Sequence, residues 1–120
     1  MKSVIVGSVP KPYRYAYQAA EMMERRKLDF VPLGIQEGEV MGQKILNFYD
    51  KPQINDVDTL TLYINPERQK EWYDYMLSLN PKRIIFNPGT ENQEFKRMAE
   101  ERGIMCIHAC TLVMLSTGEY

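Results

Sequence analysis

Apolar residues follow two alternating spacings along this chain. Short continuous runs rich in β-branched residues alternate with stretches in which apolar side chains recur every three or four positions. The first run, Met1 to Val6, ends at Gly7 and predicts a strand buried on both faces. From Tyr13 to about Lys27 the positions Ala16, Ala19, Ala20 and Met23 form the stripe of an amphipathic helix, leaving Glu21, Glu24 and Arg25 to water. Leu28 to Leu33 reads as a second strand, with Pro32 near its C-terminal end, where a missing N–H costs little. Gly34 to Gln43 reads as a loop, Lys44 to Leu46 as a short strand, and the polar stretch Asn47 to Asp56 as a connection. Val57 to Ile64 predicts a central strand. Pro66 then opens a helix, a position its fixed φ suits. Trp72, Tyr75, Met76 and Leu79 form the buried stripe of that helix, and Asn80-Pro81 stops it. Arg83 to Phe86 is the next strand, followed by an Asn87-Pro88-Gly89 turn. Thr90 is the expected N-cap of a further helix, with Gln93 as its capping-box partner. That helix buries Phe95, Met98 and Ala99 and ends at Gly103. Ile104 to Ile107 is a final strand. The tail beyond Cys110 carries Leu112 to Leu115 and reads as a second short element or a packed arm.

Helices alternating with strands that read as buried predict an α/β architecture. The expected form is three layers around a mainly parallel sheet of five or six strands, in one domain spanning residues 1–120. In such folds ligands lie beyond the C-terminal ends of the strands, where the strand order reverses. Four loops converge there: Gly7 to Arg14, Leu33 to Gln36, Tyr63 to Pro66, and Asn87 to Thr90. The first is the richest in chemistry. A buried strand, a glycine, a tight proline-containing loop and a helix N-terminus make a phosphate-binding entrance, because the helix offers unpaired N–H groups and a positive dipole end. Lys11 and Arg14 add charge-assisted donors. The same residues also read as a plain βα turn with solvated first-turn side chains.

Composition narrows the field. An apolar share of 44% and a charged share of 26% are those of an ordinary globular chain. A net charge of −1 disfavours nucleic acid and anionic membrane surfaces as partners. The absence of a long apolar run or a signal-peptide pattern, with two closely spaced cysteines, predicts a cytoplasmic protein with free thiols.

The run G-S-V-P-K-P-Y-R-Y-A-Y, Gly7 to Tyr17, resembles the opening motif of the small stand-alone CoA-binding domain proteins, relatives of the CoA-binding domain of the succinyl-CoA synthetase α-subunit. Three further segments resemble that family in the same order: Val31 to Ile45, Asp56 to Glu67, and N-x-E-x-x-x-x-A-x-x-x-G from Asn92 to Gly103. The resemblance implies a Rossmann-like fold with CoA, or a related adenine nucleotide such as NAD, lying across the strand ends. By that resemblance Gly7, Ser8, Val9, Lys11, Pro12, Tyr13 and Arg14 approach the phosphates, and Leu33 and Gly34 border the nucleotide. Tyr63, Ile64 and Asn65 wall the adenine or pantetheine, while Pro88, Gly89 and Thr90 close the far side. It implies binding more than catalysis. The chain also departs from the family pattern: Val9 and Ala16 stand where serines are expected, and Gly34-Ile35-Gln36 where a polar or basic group follows the second strand. A basic residue there would pair with the 3′-phosphate of CoA, so NAD(P)-like ligands stay open.

Beyond binding, the residues give little chemistry. Cys106, His108 and Cys110 form C-x-H-x-C on one strand, which lacks a fourth ligand for structural zinc; no metal is expected. The one histidine has no partner at catalytic spacing, and no catalytic residue is assigned. Two alternatives remain beside a binding module: a CoA- or NAD-dependent enzyme using Cys110 or His108, and an interaction protein, a subunit or a homodimer through the apolar tail, with a vestigial nucleotide site.

Overall fold

The computed structural model describes residues 2–120; Met1, placed above in the first strand, lies outside them. Strand β1 (Lys2–Val6) leads through a turn into helix α1 (Tyr15–Arg25) and then β2 (Asp29–Gly34). A hairpin of β3 (Glu39–Val40) and β4 (Gln43–Lys44) follows, then β5 (Leu46–Asn47) and β6 (Val57–Leu62). The second helical region is broken into α2 (Pro66–Gln69), a 3-10 turn (Lys70–Trp72) and α3 (Tyr73–Ser78). The chain closes with β7 (Arg83–Phe86), α4 (Gln93–Glu101), β8 (Met105–His108) and α5 (Thr111–Thr117). The principal sheet has six strands in the order β5-β2-β1-β6-β7-β8, and every pairing in it is parallel. This is an α/β Rossmann-like fold.

Alternation along each strand divides the core in two. Val4, Val6, Leu60, Leu62, Ile84 and Phe86 pack with α3 and α4 around Met76, Phe95 and Ala99. On the opposite face Ile5 and Phe30 pack with Ala16, Ala20 and Met23 of α1, Leu115 of α5, and Val40 of the hairpin. Small alanines let α1 lie close to the sheet. The first face is rich in aromatics: Tyr73 stacks on Phe95 at 4.8 Å and Trp72 on Phe48 at 4.5 Å between centroids. Each such ring buried contributes about 2–3 kcal/mol of transfer free energy.

Several elements differ from the sequence reading, each for a local reason. Helix α1 begins at Tyr15, not Tyr13, because Pro12 occupies the second position of a turn closed by Arg14 N–H donating to the Lys11 carbonyl at 3.0 Å. The expected loop Gly34 to Gln43 contains a hairpin instead. Its Met41-Gly42 turn has both φ values positive, 50° and 81°, the conformation that two-residue hairpins require. The strand expected over Lys44 to Leu46 is split, Lys44 closing the hairpin and Leu46 pairing with Leu33 at the sheet edge. Pro32 is tolerated in β2 because β5 reaches only Leu33 and Gly34, so no neighbour needs an N–H from Pro32. Thr90 does not cap α4. Its hydroxyl donates to the Asn87 carbonyl at 2.7 Å, and Asn92 takes the cap, accepting from Phe95 N–H at 3.0 Å. The unplaced tail forms α5 beside α1.

Candidate functional site

The chain leaves β1 for β2 on one side and returns through β6 on the other. The loops beyond β1 and β6 therefore part, and a crevice opens between them. Two glycines let the β1 loop sit this low. Gly7 has φ of 98°, and a Cβ there would lie 2.8 Å from Ile64 Cγ2 and 3.1 Å from the Tyr63 carbonyl carbon. A Cβ on Gly34 would collide with the Ser8 carbonyl oxygen. The loop is pinned between the tips of β2 and β6: Gly7 N–H and Ser8 N–H both donate to the Leu33 carbonyl, at 2.8 and 3.0 Å. The buried Ser8 hydroxyl donates to the Ile5 carbonyl at 2.8 Å.

Above this loop lies a groove in two connected parts. The part on the β2 side encloses about 610 Å³ and reaches Ile35, Gln36, Tyr49, Arg68 and Trp72. The part on the β7 side encloses about 310 Å³ and reaches Tyr15, Ala16, Pro88, Gly89 and Thr90. Gly7, Val9, Arg14, Tyr63 and Asn65 line both, so they form the waist. Such volumes suit a small-molecule ligand. A larger hollow of about 910 Å³ lies at the opposite end of the sheet, around Lys51 to Asp58, Asp74 and Lys82. Its rim mixes carboxylates with ammonium groups, and it is remote from the loops that leave the strand tips.

Helix α1 opens onto the waist. Arg14 holds the N-cap position with extended φ and ψ of −84° and 146°, yet no side chain caps the helix and no acid lies in its first turn. Its leading N–H groups thus have no side-chain acceptor. The neighbouring helices are closed. Asn65 caps α2 through Arg68 N–H at 2.9 Å, and Asn92 caps α4. Asn87 Oδ1 accepts from Thr111 N–H at 2.8 Å at the start of α5. Asn87 also donates through Nδ2 to Thr61 Oγ1 and the Leu62 carbonyl, at 2.7 and 2.9 Å, tying β6, β7 and α5 together. On the other face Gln69, fully buried, donates to the Ile64 and Thr90 carbonyls and accepts from Asn92. The walls of the waist are therefore braced from below.

Of the residues singled out from sequence, Gly7, Ser8, Val9, Arg14, Gly34, Tyr63, Ile64, Asn65, Pro88, Gly89 and Thr90 line the groove. Lys11, Pro12 and Tyr13 form the exposed turn before α1 and line neither part; Tyr13 is 71% exposed. Leu33 is wholly buried and acts through its carbonyl. The hydroxyls of Ser8 and Thr90 already donate to backbone. Phe48, Tyr49, Arg68, Glu71 and Trp72 were not singled out for the site, yet line its β2 side. Tyr49 lay in a stretch read as connection. Arg68 looked like any first-turn cation, and Trp72 like a core residue, which it also is.

Tyr63 lines the groove and packs against the core cluster beneath α1, while its hydroxyl is buried and finds no partner among the described residues. The Thr61 and Thr111 hydroxyls below it bond each other at 2.7 Å. Burial pushes the Tyr63 phenol up to about 12, so it stays neutral. Burial likewise raises the Cys106 thiol to about 11. Cys106 packs against the aromatic core, and His108 sits edge-on to Phe86 at 5.5 Å, so the C-x-H-x-C residues do not converge. Among the described residues no three His, Cys, Asp or Glu side chains gather as a metal site, and no helix is long and apolar enough to cross a membrane.

The same fold is found in solved structures. The crystal structure of an uncharacterized protein is 50% identical, covers 99% of this chain and 97% of its own, and superposes with a TM-score of 0.95. A Thermus thermophilus protein, 20% identical over 99% of this chain and 90% of its own, has a TM-score of 0.83. A conserved hypothetical protein from Pyrococcus furiosus, 21% identical over 93% of this chain and 97% of its own, has a TM-score of 0.79. These two share the fold. Among curated protein sequences none matches. The family model described as CoA binding domain matches residues 2–116, nearly the whole chain, and the chain belongs to that family.

Proposed function

We propose that this protein binds CoA, or a related adenine nucleotide, in the groove across the tips of β1 and β6, and does not turn it over. The observation that carries the reading is the start of α1: an N-terminus with no side-chain cap, no first-turn acid and Arg14 beside it, opening onto the waist of the groove. A pyrophosphate fits there, accepting from backbone N–H groups and from the guanidinium. Family membership supports CoA as the first ligand to try. The lining supports binding over turnover, since most of it is backbone, aromatic rings, guanidinium and amide groups, and the Tyr63 phenol is held neutral. A partner nucleotide would then be a bound signal or cargo.

The test is a thermal-shift series with CoA, acetyl-CoA, dephospho-CoA, NAD, NADP and AMP at equal concentration. A ligand that binds only the folded state at a hundred times its Kd stabilises by about 2.7 kcal/mol. The expected outcome is a raised melting temperature with at least one of them, and recovery of that ligand unchanged after incubation. Arg14→Ala should weaken the binding by about 1.5 kcal/mol, the size of a charge-assisted hydrogen bond. No shift with any ligand would sink the proposal.

A further inference from the structure

The β2 side of the groove carries a cation that no feature of the fold uses. Arg68 stands in the first turn of α2, its main chain fixed by the Asn65 cap at 2.9 Å. Its side chain is exposed and lines the same hollow as Ile35 and Gln36, at the tip of β2. Among the described residues no carboxylate lies within ion-pair distance of it; the ion pair nearby joins Glu67 of α2 to Lys70 of the following 3-10 turn at 3.4 Å. In Rossmann-type sites the tip of β2 is where the ribose is read, an acid taking a hydroxyl and an arginine taking a phosphate. Here the β2 tip itself offers Gly34, Ile35 and Gln36, which are uncharged.

We infer that Arg68, reaching across from α2, is the residue that selects a ligand bearing a phosphate monoester on its ribose. This rests on the nucleotide-binding reading above. Arg14 and the α1 N-terminus take the pyrophosphate at the waist, and Arg68, lining the same hollow, takes a second, terminal phosphate. A guanidinium suits that group because it can donate two parallel N–H bonds to a phosphate. Glu71 sharpens the requirement. It lines the same hollow, so a phosphate bound there without Arg68 would face an opposing carboxylate. A 3′-phosphate, as on CoA, and a 2′-phosphate, as on NADP, share this chemistry.

The experiment is isothermal titration of wild type, Arg68→Ala and Arg68→Lys with two ligand pairs, CoA against dephospho-CoA and NADP against NAD. Within the pair whose phosphate reaches Arg68, wild type should prefer the phosphorylated member by about tenfold or more. Arg68→Ala should abolish or invert that preference while leaving affinity for the unphosphorylated member within about twofold. Arg68→Lys should keep part of it, and rising salt should erode it, because the pair is exposed. Which pair shows the effect identifies the ribose position. Equal binding within both pairs by wild type would overturn the inference and leave the nucleotide site standing. So would a preference that survives in Arg68→Ala. Binding of no ligand from either pair would overturn both readings. Unchanged melting temperatures of the two variants without ligand separate a binding effect from a folding defect.

Discussion

Helices α1 and α4 start at the same edge of the sheet, α1 after β1 and α4 after β7, and each follows a loop containing glycine and proline. Their first turns are treated oppositely. At α4 the Asn92 side chain accepts from Phe95 N–H and donates to Gln69 and to the Tyr73 hydroxyl, at 3.0 and 2.8 Å. At α1 the cap position has the right backbone angles but an arginine side chain that cannot accept. One N-terminus is consumed by the fold. The other is left with donors to spare, next to a positive charge and above a groove. The difference separates a helix start that holds the structure together from one whose leading N–H groups have no side-chain acceptor.

Substitutions can break this contrast from either side. The largest effect is expected at the closed end. Asn92→Ala removes the cap and leaves the buried Gln69 side-chain oxygen without its donor, costing about 2–3 kcal/mol. Urea denaturation would measure it, and ligand affinity extrapolated to the folded protein should hold. The opposite change at the open end sharpens the comparison. Arg14→Asp supplies a carboxylate where the backbone is already set to cap, and should stabilise the protein by about 1 kcal/mol while abolishing nucleotide binding. A variant that lost stability, or still bound, would show that the α1 terminus is not a vacant cap. The smallest effect concerns the Tyr63 phenol at the waist. Its ordinary value of 10.0 rises to about 12 on burial, so the native state keeps a proton that the unfolded chain releases. Stability from this group is complete below pH 10 and is lost as pH rises towards 12. Tyr63→Phe should leave neutral-pH stability nearly unchanged, because among the described residues the hydroxyl makes no hydrogen bond, the neighbouring Thr61 and Thr111 hydroxyls bonding each other, and should soften the alkaline fall in denaturation midpoint. Some fall will persist, since burial also pushes Tyr75 up to about 12.

What could be read from the chain beforehand follows from range. The mainly parallel sheet of five or six strands, the buried stripe Trp72, Tyr75, Met76 and Leu79, and the loop at Gly7 are written in local spacing, and the structure shows them, with six strands in the sheet. The cap at Asn92 was displaced to Thr90 because both residue types favour caps, and the choice depends on a turn bond from Thr90 back to Asn87. The Met41-Gly42 hairpin carried no asparagine or aspartate to announce its turn. At the groove, the lining residues on the β1 loop were legible as a loop because a strand, a glycine, a proline turn and a helix start follow one another locally. Arg68, Tyr49 and Trp72 were not, because they reach the groove only once α2 and the segment after β5 fold over the tip of β2. Lys11 shows the converse: it is the first residue of the Pro12 turn, is exposed there, and lines neither part of the groove.

Trp72 has one more consequence. It is the chain's single tryptophan, it stacks on Phe48, meets Tyr49 edge-on at 5.0 Å, and forms part of the groove wall. All indole fluorescence therefore originates at one spot, where the core and the candidate groove share a side chain. Emission intensity should follow whatever enters the β2 side of the groove, and emission wavelength should follow whether the core is intact, which would give the protein an internal optical gauge of both without any attached dye.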